Sequence, residues 1–207
     1  MRRVPALAAA AFLALLSLDA GQWGPLQAAD TAISAAFRGY GERHPDLIAV
    51  VRVATDIAVT WLYLAAGAVA TLVLHARRRR RDALFTGAVT AVIPILWSLM
   101  HLWLHSPRPT GGFVEVHTNG FPSGHTSNAA AAALAAALLL WPRLRPRGRV
   151  LLAVLATAFA LFVGLTRVML LAHWPTDVVG GWLLALAVVP PLALLTRLPD
   201  RSGAVAR

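Results

Sequence analysis

The chain has 207 residues, of which 58% are hydrophobic and only 14% charged, whereas soluble domains average roughly 45–50% apolar and about 25% charged. This composition excludes a disordered chain and carries more apolar surface than a water-soluble fold of this length can enclose. The formal net charge is +10, carried by nineteen arginines and no lysine, and the lack of cysteine excludes disulfides, a thiolate nucleophile and Cys-based metal sites.

Six apolar runs approach the roughly 20 residues a helix needs to cross about 30 Å of hydrocarbon. They are Val4 to Leu18, Ile57 to Leu74, Ala83 to Leu104, Ser123 to Trp141, Val150 to Leu171 and Thr176 to Leu195. Backbone polar groups in lipid must pair internally, so each run is expected to be helical. The expectation is one all-α domain over 1–207, a six-transmembrane-helix bundle. The first run, preceded by Arg2 and Arg3, also fits a secretory signal peptide, but no convincing small-x-small cleavage site follows and a retained helix is favoured. Between Asp19 and Asp56, with Asp30, Glu42, Asp46 and a Tyr40-Gly41 turn, an extramembrane loop with a short amphipathic helix is expected.

The arginines are unevenly distributed. Arg2 and Arg3, Arg77 to Arg81, Arg143, Arg145, Arg147 and Arg149, and Arg197, Arg201 and Arg207 fall on one side of the six-span layout. Arg38, Arg43, Arg52, Arg108 and Arg167 fall on the other. The positive-inside rule then places both termini in the cytoplasm and the first, third and fifth connections outside. The Arg77 to Arg81 run reads as a topology anchor on anionic headgroups, and no nucleic acid is expected, since no reading motif or aromatic interleaving accompanies it.

Ionisable residues at membrane depth are functional candidates, and here they cluster. His101-x6-Arg108-Pro109 ends the third run, Pro122-Ser123-Gly124-His125 opens the fourth, and Thr166-Arg167-x5-His173-x3-Asp177 joins the fifth to the sixth. Span parity brings all three to the outer face. Arginines fork onto phosphate oxygens, and a helix opening at Ser123 to His125 offers free N–H groups to an anion. One histidine, oriented by a carboxylate, could attack phosphorus while the other protonates the departing oxygen. His173 and Asp177 are four apart, close enough to meet if Pro175 starts the sixth helix.

These motifs, spanning residues 101–177, resemble those of the type 2 phosphatidic acid phosphatase (PAP2) family, whose pocket is shared with vanadium-dependent haloperoxidases and bacterial acid phosphatases. The family pattern is Lys-x6-Arg-Pro, Pro-Ser-Gly-His and Ser-Arg-x5-His-x3-Asp. The resemblance implies His173 as nucleophile through a phosphohistidine, Asp177 as its orienting partner and His125 as general acid. It implies that Arg108, Arg167, Ser123, the Gly124 amide and His101 bind phosphate, without metal or other cofactor. The implied function is a multi-pass cell-membrane phosphatase acting on phosphomonoester or diphosphate bonds of lipids such as phosphatidic acid, phosphatidylglycerol phosphate or polyprenyl diphosphates.

Two positions depart from the pattern. Thr166 replaces serine and keeps a hydroxyl. His101 replaces lysine, and an unperturbed imidazole is mostly neutral at pH 7, so an activity optimum displaced toward acid is expected. Three alternatives stay open: a phosphotransferase with the same site, a non-catalytic lipid binder, and a metal site built from His105, His117 and Glu115. Trp103, Trp141, Trp174 and Trp182 read as belt or packing residues.

Overall fold

The computed structural model describes residues 3–116 and 118–196. Arg2, His117, Arg197, Arg201 and Arg207 lie outside the described residues. Within them the chain is all-α, with eight α-helices: α1 (Arg3–Ala20), α2 (Gly24–Arg43), α3 (Pro45–Ala54), α4 (Thr60–Ala76), α5 (Arg80–Trp103), α6 (Gly124–Leu140), α7 (Pro146–Met169) and α8 (Pro175–Leu195). Short 3-10 turns at Thr55–Ala58 and Trp141–Arg143 precede α4 and α7.

Five stretches are long and apolar enough to cross a membrane: α1, Pro45–Ala76 (α3 through α4), α5, α7 and α8. The remaining candidate, α6, has 17 residues and packs against α4, α5, α7 and α8. The core explains its alanine run. Phe85, Val89 and Ile93 of α5 and Ala185 and Val189 of α8 close onto Ala131 and Ala135, and small side chains let helix backbones approach in lipid, where packing rather than water exclusion drives association. Large apolar residues such as Trp61, Leu72, Val154 and Leu155 point outward, as a lipid-facing surface requires.

At one end, α8 comes unusually close to the start of α6. A Cβ on Gly181 would lie 3.0 Å from both the Ser123 carbonyl oxygen and the Ser127 nitrogen, so glycine lets the helices meet at this distance without either backbone giving way. The first apolar run is an integral part of the bundle: α1 packs along α8, and Phe12 meets Phe121 with ring centroids 5.5 Å apart.

The segment from Asp19 to Asp56 departs from the expectation. It holds two helices, and Tyr40-Gly41, expected as a turn, continues α2. The glycine serves packing instead: a Cβ on Gly41 would lie 2.5 Å from the Phe113 ring. The second apolar stretch also starts near Pro45, about three turns before Ile57, with Pro45 as the first residue of α3; Arg52, which suggested loop, lies within that helix and donates Nη2 to the Phe113 carbonyl at 2.6 Å. Likewise α7 begins at Pro146, before the expected Val150, with the Arg149 guanidinium over the Trp141 ring.

Candidate active site

The C-terminal ends of α5 and α7 and the N-terminal ends of α6 and α8 share one end of the bundle, where the three motifs meet. Ser123 is the N-cap of α6: its Oγ accepts from the Thr126 amide at 3.5 Å and from the Thr126 hydroxyl at 3.0 Å. The Ser123 amide donates to the Asp177 carbonyl at 2.9 Å, which seats the second motif on the third.

α7 ends in a Schellman turn. The Ala172 amide donates to the Arg167 carbonyl at 3.0 Å and the Leu171 amide to the Val168 carbonyl at 2.9 Å. Leu171 sits at φ +52°, where glycine is usual, and is buried. A left-handed non-glycine residue costs roughly 1–2 kcal/mol, held here by the packing of Leu170, Ala172 and Ile48 beside it. The turn carries His173 into the bundle end, with Pro175 opening α8 as its first residue.

His173 is fully enclosed. Its Nδ1 lies 3.2 Å from Asp177 Oδ2, and its Nε2 lies 2.8 Å from Arg108 Nη1. A guanidinium can only donate, so Nε2 presents a lone pair and Nδ1 carries the proton that Asp177 accepts. This is the tautomer a nucleophilic Nε2 needs. Asp177 Oδ2 also accepts from the Trp174 amide at 3.0 Å, which fixes the carboxylate within its own turn. Burial, reinforced by Arg108 and Arg167, holds His173 well below its ordinary value of 6.5, so the ring stays neutral at physiological pH.

Arg108 is held on every side of its fork. Nε donates to the Thr118 carbonyl at 2.6 Å, Nη2 to the Thr118 hydroxyl at 3.0 Å and the Asn119 carbonyl at 2.9 Å, and Nη1 to the Ala172 carbonyl at 2.6 Å. Arg167 is buried, gives Nη1 to Thr55 Oγ1 at 3.1 Å, and leaves Nε without a partner among the described residues. Thr55 in turn bonds Thr166 Oγ1 at 2.9 Å, and Thr166 donates to the Val163 carbonyl at 2.6 Å. His125, on the first turn of α6, is close enough to His173, Arg108 and Arg167 to interact electrostatically with them. Its ring makes no hydrogen bond with the described residues, so both nitrogens remain available.

His101 is placed differently from a simple phosphate ligand. Its Nε2 donates to the Pro122 carbonyl at 2.8 Å and its ring leans on Trp97, centroids 5.2 Å apart, so it braces the approach to Ser123 and keeps only Nδ1 for a substrate. The motif reading missed three supports. Thr55 orients Arg167; Asn119 donates Nδ2 to the His101 carbonyl at 2.8 Å; and Asn128 joins Trp97 to Thr60 at 3.2 and 3.3 Å. Thr and Asn near helix ends are too common to signal such roles. Of the rival metal set, His105 and Glu115 are exposed, His117 lies outside the described residues, and among the described residues no three His, Asp or Glu side chains gather.

Comparison with known proteins identifies the family. The PAP2 superfamily matches residues 103–198. Phosphatidylglycerophosphatase B of Bacillus subtilis is 30% identical over 164 residues, covering 78% of this chain and 80% of that protein. The chain belongs to the PAP2 superfamily. The crystal structure of a transmembrane PAP2-type phosphatidylglycerolphosphate phosphatase from Bacillus subtilis superposes with a TM-score of 0.82 at 26% identity, covering 95% of this chain and 98% of that one. This PAP2 member is therefore a multi-pass membrane protein. Phosphatidylglycerophosphatase B of Escherichia coli is 46% identical over 69 residues, 33% of this chain but only 26% of that protein. Lipid A 1-phosphatase of Rhizobium etli is 43% identical over 88 residues, 39% of this chain and 34% of that protein.

Proposed function

We propose that this chain is a lipid phosphatase with six membrane crossings, α6 being the sixth crossing helix, cytoplasmic termini and its pocket on the extracytoplasmic face. The observation that carries the reading is the placement of His173: Nδ1 toward Asp177, which accepts its proton, and the Nε2 lone pair toward Arg108. An incoming phosphoryl oxygen takes over the Arg108 Nη1 donation, which frees the Nε2 lone pair. Arg108, Arg167 with its spare Nε, the Ser123 hydroxyl hydrogen and the Gly124 amide hold the equatorial oxygens.

Nε2 then forms a bond to phosphorus as the phosphorus–oxygen bond to the lipid breaks, and His125 gives the departing oxygen its proton. Asp177 stabilises the charge that appears on the His173 ring. In the second half, water attacks the phosphohistidine, His125 takes its proton, and inorganic phosphate leaves with Nε2 restored.

Helix ends at headgroup depth suit a phosphate whose tail stays in the bilayer. Phosphatidylglycerol phosphate is the favoured substrate, by analogy with the names of the Bacillus subtilis relatives; phosphatidic acid and polyprenyl diphosphates share its chemistry. The test uses detergent-purified protein, a panel of lipid phosphates, EDTA throughout and His173→Ala alongside. Phosphate release that survives EDTA and disappears in the variant is expected. Release lost with EDTA alone supports a metal site instead, and release by neither protein supports a binder.

A further inference from the structure

Asp30 lies on α2, outside the family match at 103–198, and is 7% exposed. Its Oδ1 accepts from the Thr176 backbone amide at 3.1 Å and its Oδ2 from the Thr176 hydroxyl at 2.5 Å, a contact across 146 residues. The partner is the second residue of α8. That helix opens Trp174-Pro175-Thr176-Asp177, and an indole has no acceptor, so the N-cap position supplies no side-chain oxygen of its own. A carboxylate from α2 does the capping instead, with charge-assisted bonds and a favourable place at the positive end of the helix dipole.

The next residue is Asp177. Its Oδ2 takes the His173 Nδ1 proton and the Trp174 amide, so the direction of the first turn of α8 sets the nucleophile's tautomer and aim. On its other flank the turn is held through the Asp177 carbonyl, by the Ser123 amide at 2.9 Å, and through Trp174 Nε1, which donates to the Pro107 carbonyl at 2.7 Å. Building on the phosphatase reading, we propose that Asp30 is a positioning residue for the reaction: it caps α8 from a separate helix and thereby holds Asp177 and His173 in line with the phosphate. The α2 segment is then part of the catalytic unit, although no motif marks it.

The test compares Asp30→Ala, Asp30→Asn and Thr176→Val in full-length, detergent-purified protein. Two readouts are taken: kcat and KM with phosphatidylglycerol phosphate, and the downfield proton of His173 Nδ1 by NMR, assigned by its loss in His173→Ala. Misplacing a reacting group by about 1 Å costs up to roughly 100-fold, so Asp30→Ala is expected to lose about 10- to 100-fold in kcat with little change in KM, and to shift or broaden the proton signal. Asp30→Asn accepts from the amide and donates to the hydroxyl, so it should rescue both readouts. Thr176→Val keeps the shape and removes one bond; a loss of about threefold to tenfold is expected, and this variant carries the test if Asp30→Ala does not fold. A folded Asp30→Ala with wild-type kcat and an unmoved proton overturns the proposal, as does an effect on KM alone. Wild-type protein that releases no phosphate would sink the phosphatase reading, while the proton signal would still decide the role of Asp30.

Discussion

The two ends of the bundle both bury charge, and they resolve it differently. At one end Asp82 of α5 is buried between Arg143, 3.0 Å away, and Arg79, so a carboxylate collects cations from two connections. At the other, Arg108 and Arg167 form no ion pair with a carboxylate among the described residues and donate instead to carbonyls, hydroxyls and His173. The nearby carboxylates have other partners: Asp177 is committed to His173 and Asp30 to Thr176. A self-satisfied cluster closes a structure; a cationic cluster hydrogen-bonded to neutral acceptors is suited to an anion.

The comparison is broken most sharply at its chemical centre. His173→Ala is expected to reduce kcat by at least about 10⁴-fold, since removal of a nucleophile disables the whole set; steady-state phosphate release measures it, and substantial residual turnover would exclude a phosphohistidine. Arg167→Ala should cost about 100- to 1000-fold, and Thr55→Val, which removes the bond orienting Arg167 together with the Thr55–Thr166 hydroxyl bond, a smaller factor measured in the same assay.

At the opposite end Asp82→Asn should spare kcat and lower thermal stability by no more than about 1 kcal/mol, because both partner arginines are about one-third exposed and screened by solvent. A large loss of activity in that variant would mean the two ends are coupled.

The pH profile sharpens the contrast further. The nucleophile must be neutral, and His173 is depressed in the folded protein, so its contribution to the acid limb of kcat/KM should lie well below pH 6.5. The same depression makes folding stability complete above about 6.5 and progressively weaker as pH falls toward the folded value. Thermal melts between pH 7 and 5 check that sign. The smallest effect is expected for His101→Lys: activity retained with a flatter alkaline fall, read from the pH–rate profile. Because His101 Nε2 braces the Pro122 carbonyl, an inactive lysine variant would mark it as a structural support only.

The sequence carried the bundle and the polar residues of the candidate site for identifiable reasons. Apolar runs show through because lipid penalises every polar interruption, and the His173–Asp177 pair shows through because Pro175 marks the start of α8, which puts Asp177 in its first turn, within reach of the residues just before the helix. Helix α2 was less legible, since glycine and charges at Tyr40-Gly41 and Arg43 imitate a turn until Phe113 is seen to need the space.

Sequence by itself therefore determined the membrane class, the helical identity of the spans and the chemical types gathered at one end. Only the folded arrangement decided the tautomer of His173, the bracing role of His101, the hold of Thr55 on Arg167 and the capping of α8 by Asp30. Those contacts join residues up to 146 positions apart. Local pattern reports periodicity and polarity along one helix, but hydrogen bonds between helices depend on how closely and at what register the rods pack, which here is set by small residues such as Gly181 and the alanines of α6.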